Sequence, residues 1–201
     1  MKKAKMKGLF IVIDGIDGSG KTTIAKDLAK ILNYSGKKVF YTKEPYSTEI
    51  KKRARKLAKY YDKNKEKIFR LFAQDRLRHQ KVIAEKLKKG FIVISDRYYY
   101  STYAYQNKYA KKYGTGRLLK PDFAFILDLP VSEAFKRIMK RKKAITGFET
   151  MAILLSARKN FLNLAKLARK IKENIIIIDA RKEPSRIVEI ILEKISSSLK
   201  S

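Results

Sequence analysis

The residues best suited to chemistry form a glycine-rich segment near the amino terminus. Residues 15–22 read Gly-Ile-Asp-Gly-Ser-Gly-Lys-Thr and fit the pattern G-x-x-x-x-G-K-S/T, whose backbone N–H groups cradle phosphates. The segment directly follows the apolar run 9–13 and opens a helical pattern, and a helix N-terminus attracts anions. Because strand, loop and helix occur in the order that a phosphate-binding loop (P-loop) requires, we favour this loop over a glycine-rich turn with a chance lysine.

This loop predicts contacts to a nucleoside triphosphate and to its metal ion. Lys21 should bridge the β- and γ-phosphates, and the Thr22 hydroxyl should ligate Mg²⁺. A nucleoside triphosphate and Mg²⁺ are therefore the expected ligands. The residues expected to bind this nucleotide, which the family resemblance described below identifies as ATP, are Gly15, Ile16, Asp17, Gly18, Ser19, Gly20, Lys21, Thr22 and Thr23.

A second set of polar residues follows the apolar run 91–95. Asp96 and Arg97 come directly after it, and open α/β sheets bind ligands beyond the carboxyl ends of their strands. The Asp96 carboxylate could hold Mg²⁺, usually through water, and the Arg97 guanidinium could grip a phosphate bidentately. The alternative is a pair that caps the next helix. Asp128 ends another apolar run without an adjoining arginine, and we expect it to be structural.

Two helical patterns carry groups that could recognise a nucleotide. Phe72 and Arg76 are four residues apart and share one helix face, where a ring and a planar donor could stack on a base and hydrogen-bond to it. A phenylalanine in a helix is, however, more often part of the core. Ser101, Tyr105 and Gln106 supply hydroxyls and an amide that could read base edges and sugar hydroxyls, or they could simply begin an amphipathic helix.

Five short apolar runs alternate with longer helical patterns. The runs are rich in Val, Ile and Phe and nearly continuous, which is typical of parallel strands buried on both faces. The sequence therefore predicts one α/β domain of the P-loop kinase fold, with a five-stranded parallel sheet flanked by helices. The predicted strands are residues 9–13, 38–42, 91–95, 123–128 and 175–179. The predicted helices are residues 22–33, 48–61, 66–89, 101–113, 131–143, 149–173 and 185–198.

Composition excludes several classes of protein. With 201 residues the chain is long enough for one domain. It has no cysteine and one histidine, which excludes disulfides, thiolate metal sites and zinc centres with several histidines. No apolar run approaches the roughly 20 residues that span a bilayer, and the basic start has too short an apolar stretch for a signal peptide. We expect a soluble, cytoplasmic protein without a membrane partner.

The charge is strongly basic and broadly distributed. The chain has 49 Lys+Arg against 19 Asp+Glu, a formal net charge of +30, which favours anionic partners. Residues 51–67 hold nine basic and two acidic residues, and both termini are basic as well. Because no single patch stands out, we interpret the charge as a solvated basic surface. At most weak, salt-sensitive and non-specific binding to nucleic acid is expected.

Proteins with phosphate-binding loops include switches, motors and kinases. The chain has no clear Asn-Lys-x-Asp segment, which GTPase switches use to read guanine, and it is short for a motor domain. A small kinase with a phosphate-bearing metabolite as its second substrate fits the length better.

Several segments together resemble thymidylate kinases, a family of P-loop nucleoside monophosphate kinases, over nearly the whole chain. Lys43-Glu44-Pro45 resembles the family's Arg-Glu-Pro turn, residues 71–76 its Leu-Phe-x-x-Asp/Asn-Arg helix, and residues 96–106 its Asp-Arg-Tyr…Ser-Ser-x-Ala-Tyr-Gln segment. The full set of matches is much more specific than any one of them. The matching segments are residues 10–23, 43–45, 71–76, 96–106, 121–130 and 148–161.

The resemblance implies that the protein transfers a phosphoryl group from ATP to dTMP, giving dTDP, and that it forms a homodimer. It also implies that Phe72 stacks on thymine, that Arg76 contacts the base and that Arg97 binds the acceptor monophosphate. Asp17 and Glu44 would hold the deoxyribose 3′-hydroxyl or help to place the phosphates.

Further implied roles concern the metal, the sugar and a short lid near residues 141–150. Asp96 would support Mg²⁺, Tyr105 would crowd C2′ and disfavour ribose, and Gln106 would reach the acceptor nucleotide. Arg141 would reach across the transferring phosphoryl group from the lid. The implied catalytic residues are Lys21, Arg97, Arg141 and Asp17, and the implied substrate-binding residues are Glu44, Phe72, Arg76, Arg97, Ser101, Tyr105 and Gln106.

The chain also departs from the family's pattern. Lys43 replaces an arginine, so a bidentate phosphate contact becomes a point charge. Tyr46 and Ser47 stand where bacterial members have two glycines, and the loop lacks an arginine in its variable positions, which leaves Arg141 as the lid arginine. Alternative functions are a kinase for dUMP, UMP or a deoxynucleoside, and a relative that binds nucleic acid.

Overall fold

The computed structural model describes residues 8–113, 118–141, 146–168 and 170–199. Strands and helices alternate along the chain. The strands are β1 (Phe10–Gly15), β2 (Val39–Lys43), β3 (Ile92–Asp96), β4 (Phe123–Asp128) and β5 (Ile175–Asp179). The helices are α1 (Lys21–Tyr34), α2 (Thr48–Ala58), α3 (Tyr61–Lys88), α4 (Tyr99–Tyr105), α5 (Asn107–Tyr113), α6 (Val131–Met139), α7 (Met151–Lys166) and α8 (Pro184–Leu199).

The five strands form one parallel sheet in the order β2-β3-β1-β4-β5. Every residue of β1 and β3 is buried, because helices cover both faces of the sheet's centre, and this explains why these runs are continuously apolar. The predicted α/β fold, with a five-stranded parallel sheet flanked by helices, is confirmed. Among the described residues, no helix has both the length and the apolar character needed to cross a membrane.

The register of the sheet brings the carboxyl ends of three strands together. Ile13 of β1 and Lys43 of β2 both pair with Asp96 of β3. The chain leaves β1 towards β2 and β3 on one side, whereas β4 pairs with β1 on the other. The strand order therefore reverses beside β1, and parallel α/β sheets open a ligand-binding crevice at such a point.

Five predicted helices differ from the observed ones by three residues or more. Helix α2 ends at Ala58 and not at the predicted residue 61, and α3 begins at Tyr61, before the predicted residue 66. The predicted helix 101–113 is two helices, because Gln106 leaves the helical conformation with φ −133° and ψ 34°, and its side-chain amide donates to the Lys65 carbonyl at 3.3 Å. Helix α7 ends at Lys166, short of the predicted residue 173, and α6 ends at Met139. Lys140 and Arg141 are not helical, so the predicted extension of α6 is wrong there. Residues 142–145, which hold the rest of that extension and part of the predicted lid, lie outside the described residues.

Candidate active site

The loop between β1 and α1 requires glycine at two places. Gly15 and Gly18 have φ values of 143° and 86°, and a Cβ at either would lie 2.5 Å from a backbone oxygen, that of Leu127 and of Ala134 respectively. Gly20 precedes α1 and gives it no side-chain cap. The first N–H groups of α1 are therefore available to an anion, as a phosphate-binding loop requires.

Lys21 begins α1 and is buried, with its Nζ donating to the Ile16 carbonyl at 2.7 Å. Burial, together with the positive charge of Arg97, lowers the pKa of Lys21 to about 8, although Asp17 acts in the opposite direction. The Ser19 hydroxyl is also buried and has no hydrogen-bond partner in the described part of the chain. A desolvated ammonium beside an unpartnered donor is an arrangement that a polyanion would stabilise.

A hydroxyl, a carboxylate and an ammonium meet at the end of β3. Thr22 Oγ1 donates to Asp96 Oδ2 at 2.5 Å, and Lys43 Nζ lies 2.7 Å from the same oxygen and 2.9 Å from Thr22 Oγ1. Burial acts to raise the pKa of Asp96, but the charges of Lys43 and Arg97 outweigh it and lower this pKa, so the group is a carboxylate. From the sequence, Lys43 is interpreted as a point charge for a phosphate, but it is not among the predicted site residues and its contact with Asp96 is not predicted. The position of Lys43 directly after the apolar run 38–42 was the available signal.

This arrangement fits Mg²⁺. Asp96 Oδ1 is buried and has no hydrogen-bond partner among the described residues. The Lys43 ammonium contacts both Thr22 and Asp96, so these two oxygens already accept a positive charge. No cluster of three or more His, Cys, Asp or Glu side chains occurs within the described ranges. That is compatible with Mg²⁺, which is typically held by one or two carboxylates together with waters and substrate phosphates.

Arg97 connects the phosphate-binding loop with α4. Its Nη2 pairs closely with Asp17 Oδ1, and its Nη1 donates to Ser101 Oγ at 3.1 Å. The Tyr105 hydroxyl accepts from the Asp17 backbone N–H at 2.8 Å and donates to Asp17 Oδ2 at 3.2 Å. Burial acts to raise the pKa of Asp17, but Arg97 and Lys21 hold it below its ordinary value. The structure thus brings these predicted residues into one cluster of fixed charges.

Asp14 supports this cluster and was not among the predicted site residues. It is fully buried, and its carboxylate accepts from the Ser101 backbone N–H at 3.0 Å, from Ser101 Oγ at 2.7 Å and from the Tyr98 N–H at 3.2 Å. Burial raises the pKa of Asp14, although Arg97 and Lys21 oppose the rise. Its signal in the sequence was an aspartate directly after the apolar run 9–13.

A second buried pair joins β2 to α3. Arg76 Nε and Nη2 both lie 2.8 Å from Glu44 Oε2, and Nη2 also donates to Thr102 Oγ1 at 2.9 Å. Phe72 is half-buried one turn earlier on α3, and its ring centroid is 6.2 Å from that of Phe148. The aromatic ring and guanidinium therefore share a helix face, as the sequence predicted.

Two predicted site residues make contacts away from these clusters. Gln106 is buried and its amide donates to the Lys65 backbone, so no described contact ties it to Arg97 or Arg76. Arg141 lies 3.5 Å from Glu149, and its charge also lowers the pKa of Asp17. The roles of Gln106 and Arg141 stay predictions.

Asp128 makes a structural contact, as the sequence indicated. Its carboxylate oxygens accept from Arg158 Nε at 2.7 Å and Nη2 at 2.9 Å. This bidentate pair joins β4 to α7.

Comparisons with known proteins agree with the geometry. Residues 13–191 match the family model described as thymidylate kinase. A probable thymidylate kinase of Pyrococcus horikoshii is 41% identical over 177 residues, covering 81% of this chain and 85% of the relative. A probable thymidylate kinase of Sulfurisphaera tokodaii is 37% identical over 197 residues, covering 95% of this chain and 97% of the relative.

Proposed function

The chain belongs to the thymidylate kinase family, and we propose on this ground that it transfers the γ-phosphoryl group of ATP to dTMP, giving dTDP and ADP. The contacts of Asp17 support placing this reaction at the site described above. Asp17 of the phosphate-binding loop contacts both Arg97 and Tyr105. This contact joins the donor-binding side of the crevice to groups suited to a nucleoside monophosphate.

The donor is bound by the loop and its helix. The N–H groups at the start of α1 and the Lys21 ammonium neutralise the β- and γ-phosphates. Thr22 and Asp96 would hold Mg²⁺, which supplies charge neutralisation at the phosphates when bound. Lys43, which contacts both residues, adds a further positive charge at this place.

The acceptor is positioned by Arg97, which lies between β3 and α4, and by groups on α3. Arg97, held by Asp17 and Ser101, presents a planar guanidinium to the acceptor phosphate. Phe72 and Arg76 on α3 offer a ring and a donor to the base. In this arrangement the acceptor phosphate lies at the carboxyl end of the sheet, and the base lies against α3.

Phosphoryl transfer of this kind requires mainly positioning and charge neutralisation, because the transferred group is loosely bonded in the transition state. The acceptor phosphate oxygen is already a competent nucleophile, so no general base is needed. Arg141, whose charge reaches Asp17, would add positive charge as the lid excludes water.

The direct test is ADP release with ATP and Mg²⁺ against dTMP, dUMP, UMP and thymidine, with an acceptor-free reaction as the control. We expect dTMP to have the highest kcat/KM. Its advantage over dUMP should be about 10- to 200-fold, because one methyl group is worth roughly 1–3 kcal/mol. Thymidine should be the poorest acceptor, because it has no phosphate for Arg97.

Other outcomes would assign a different acceptor. A higher kcat/KM with UMP or thymidine than with dTMP would replace the proposed acceptor. ADP release that no acceptor stimulates, together with tight nucleic-acid binding at physiological salt, would favour the nucleic-acid-binding alternative.

Tyr105→Ala should raise activity with ribothymidine 5′-monophosphate relative to dTMP, by about tenfold in the ratio of kcat/KM values. The ring excludes the 2′-hydroxyl by shape. The matched variant Tyr105→Phe keeps the ring and loses only the two hydrogen bonds to Asp17, so its ratio should stay near wild type. If the ratio of kcat/KM values stayed unchanged in the alanine variant, the Tyr105 ring would not contact the sugar. If the ratio changed equally in both variants, the effect would come from the Tyr105 hydroxyl.

We also propose that the protein is a single-domain, cytoplasmic homodimer with a short lid near residues 141–150. The length of 201 residues supports one domain, and the family supports the dimer and the lid. The net charge of +30 supports weak, non-specific nucleic-acid binding that weakens as salt rises.

A further inference from the structure

His79 is a fully buried side chain on α3 with no part in the contacts assigned above. Its Nδ1 lies 3.2 Å from Glu44 Oε1, and its Nε2 lies 2.7 Å from Thr42 Oγ1. A carboxylate only accepts hydrogen bonds, so Nδ1 is the donor to Glu44. In the neutral ring, Nε2 then accepts from the Thr42 hydroxyl, and both ring nitrogens are satisfied.

The Glu44 carboxylate is held from two sides. Oε1 faces His79, whereas Oε2 faces Arg76 Nε and Nη2. Thr102 Oγ1 holds Nη2 as well. Within the described ranges, Nη1 is the terminal guanidinium nitrogen left without a hydrogen-bond partner, and it is the atom free to contact a ligand.

The ring of His79 is fixed by its neighbours. Tyr46, which is 45% exposed, stacks on it with the ring centroids 4.6 Å apart and the planes 12° apart. Asp75 accepts from the backbone N–H groups of Tyr46 at 2.6 Å and Ser47 at 3.0 Å. Helix α3 therefore contacts the turn after β2 through the side chains of Asp75, Arg76 and His79.

We propose that His79 is a positioning residue for the acceptor base: its bond to Oε1 fixes the Glu44 carboxylate that orients the Arg76 guanidinium. The inference rests on the proposed function, in which Arg76 contacts the base. Without the His79 donor, Glu44 would have a buried, unsatisfied oxygen, which is costly. The carboxylate would then turn, and Arg76 would lose its fixed direction.

Three substitutions separate positioning from packing. The amide nitrogen of His79→Asn lies as many bonds from the backbone as Nδ1, so it can restore the donor to Glu44. The amide of His79→Gln matches Nε2 instead, so it can restore only the contact with Thr42. His79→Phe keeps a ring for Tyr46 to stack on but has no hydrogen-bonding atom.

The measurements are KM for dTMP, KM for ATP, kcat and melting temperature for each variant. KM for dTMP should rise about tenfold in the glutamine and phenylalanine variants, the size expected for a weakened bond to a charged group. It should stay near wild type in the asparagine variant. KM for ATP should be unchanged in all three, because the donor contacts lie at the loop and α1.

Several results would overturn the proposal. Equal changes in the two KM values, a glutamine variant that matches wild type better than the asparagine variant, or loss of the folded state in all three variants would assign His79 to the core alone. These outcomes are distinct from failure of the proposed function, because that function is judged on dTMP phosphorylation by the wild-type protein.

Discussion

Replacing Lys21 with alanine should lower kcat for phosphoryl transfer about 10²- to 10³-fold, the cost of losing one preorganised donor to transition-state charge. The Lys21 ammonium is buried, and burial with the nearby Arg97 charge lowers its pKa to about 8. Asp17 offsets the cost of burying this ammonium only in part, because the pKa stays below its ordinary value. Removal of the ammonium should therefore leave the fold intact, with a melting temperature close to wild type.

The matched control is Lys26→Ala, which removes an exposed lysine from the same helix. It should leave kcat and both KM values unchanged. A near-wild-type kcat for the Lys21 variant would contradict the assignment of this loop to the donor phosphates. An equal loss in the two variants would point instead to the general effect of surface charge on nucleotide capture.

Replacing Arg97 with alanine should raise KM for dTMP about 10- to 150-fold, because a hydrogen bond to a charged group is worth roughly 1.5–3 kcal/mol. KM for ATP should change much less, because the Arg97 guanidinium pairs with Asp17 of the donor loop, whereas its effect on Lys21 is one of charge. Arg97→Lys should fall between wild type and the alanine variant, since it keeps the positive charge beside Asp17 and loses the bidentate fork.

Steady-state kinetics with each substrate varied in turn provide the measurement. Arg186→Ala, which removes an exposed arginine from α8, is the control and should behave as wild type. If KM for ATP rose strongly while KM for dTMP stayed constant, Arg97 would belong to the donor site. A lysine variant as active as wild type would show that charge alone is needed.

Some of these properties could be read from short stretches of sequence because their causes are local. The phosphate-binding loop depends on glycine spacing between one strand and one helix, and the spacing of residues 15–22 reports that directly. The five strands were found because burial on both faces makes each run apolar. Helix ends were less well predicted: at Gln106 a contact with the distant Lys65 carbonyl accompanies the break between α4 and α5.

The partners within the site depend on strands and helices far apart in the chain. Asp17 and Arg97 are 80 residues apart, and Lys43 and Asp96 are 53 apart. Their side chains meet because β2, β3 and β1 are adjacent in the sheet. Sequence periodicity reports which face of an element is buried, but it does not report which elements are neighbours.

The α/β class, the phosphate-binding loop and the family could therefore all be predicted from the amino-acid sequence. The pairing of charged side chains within the site could not, because it depends on how the strands and helices pack. His79 illustrates the reason, because a lone histidine in a helix has no local signature of its partners. Glu44 lies 35 residues earlier in the chain, and it reaches Nδ1 only because the turn after β2 packs on α3. The sheet order, and not the local sequence, brings the two groups within hydrogen-bond distance.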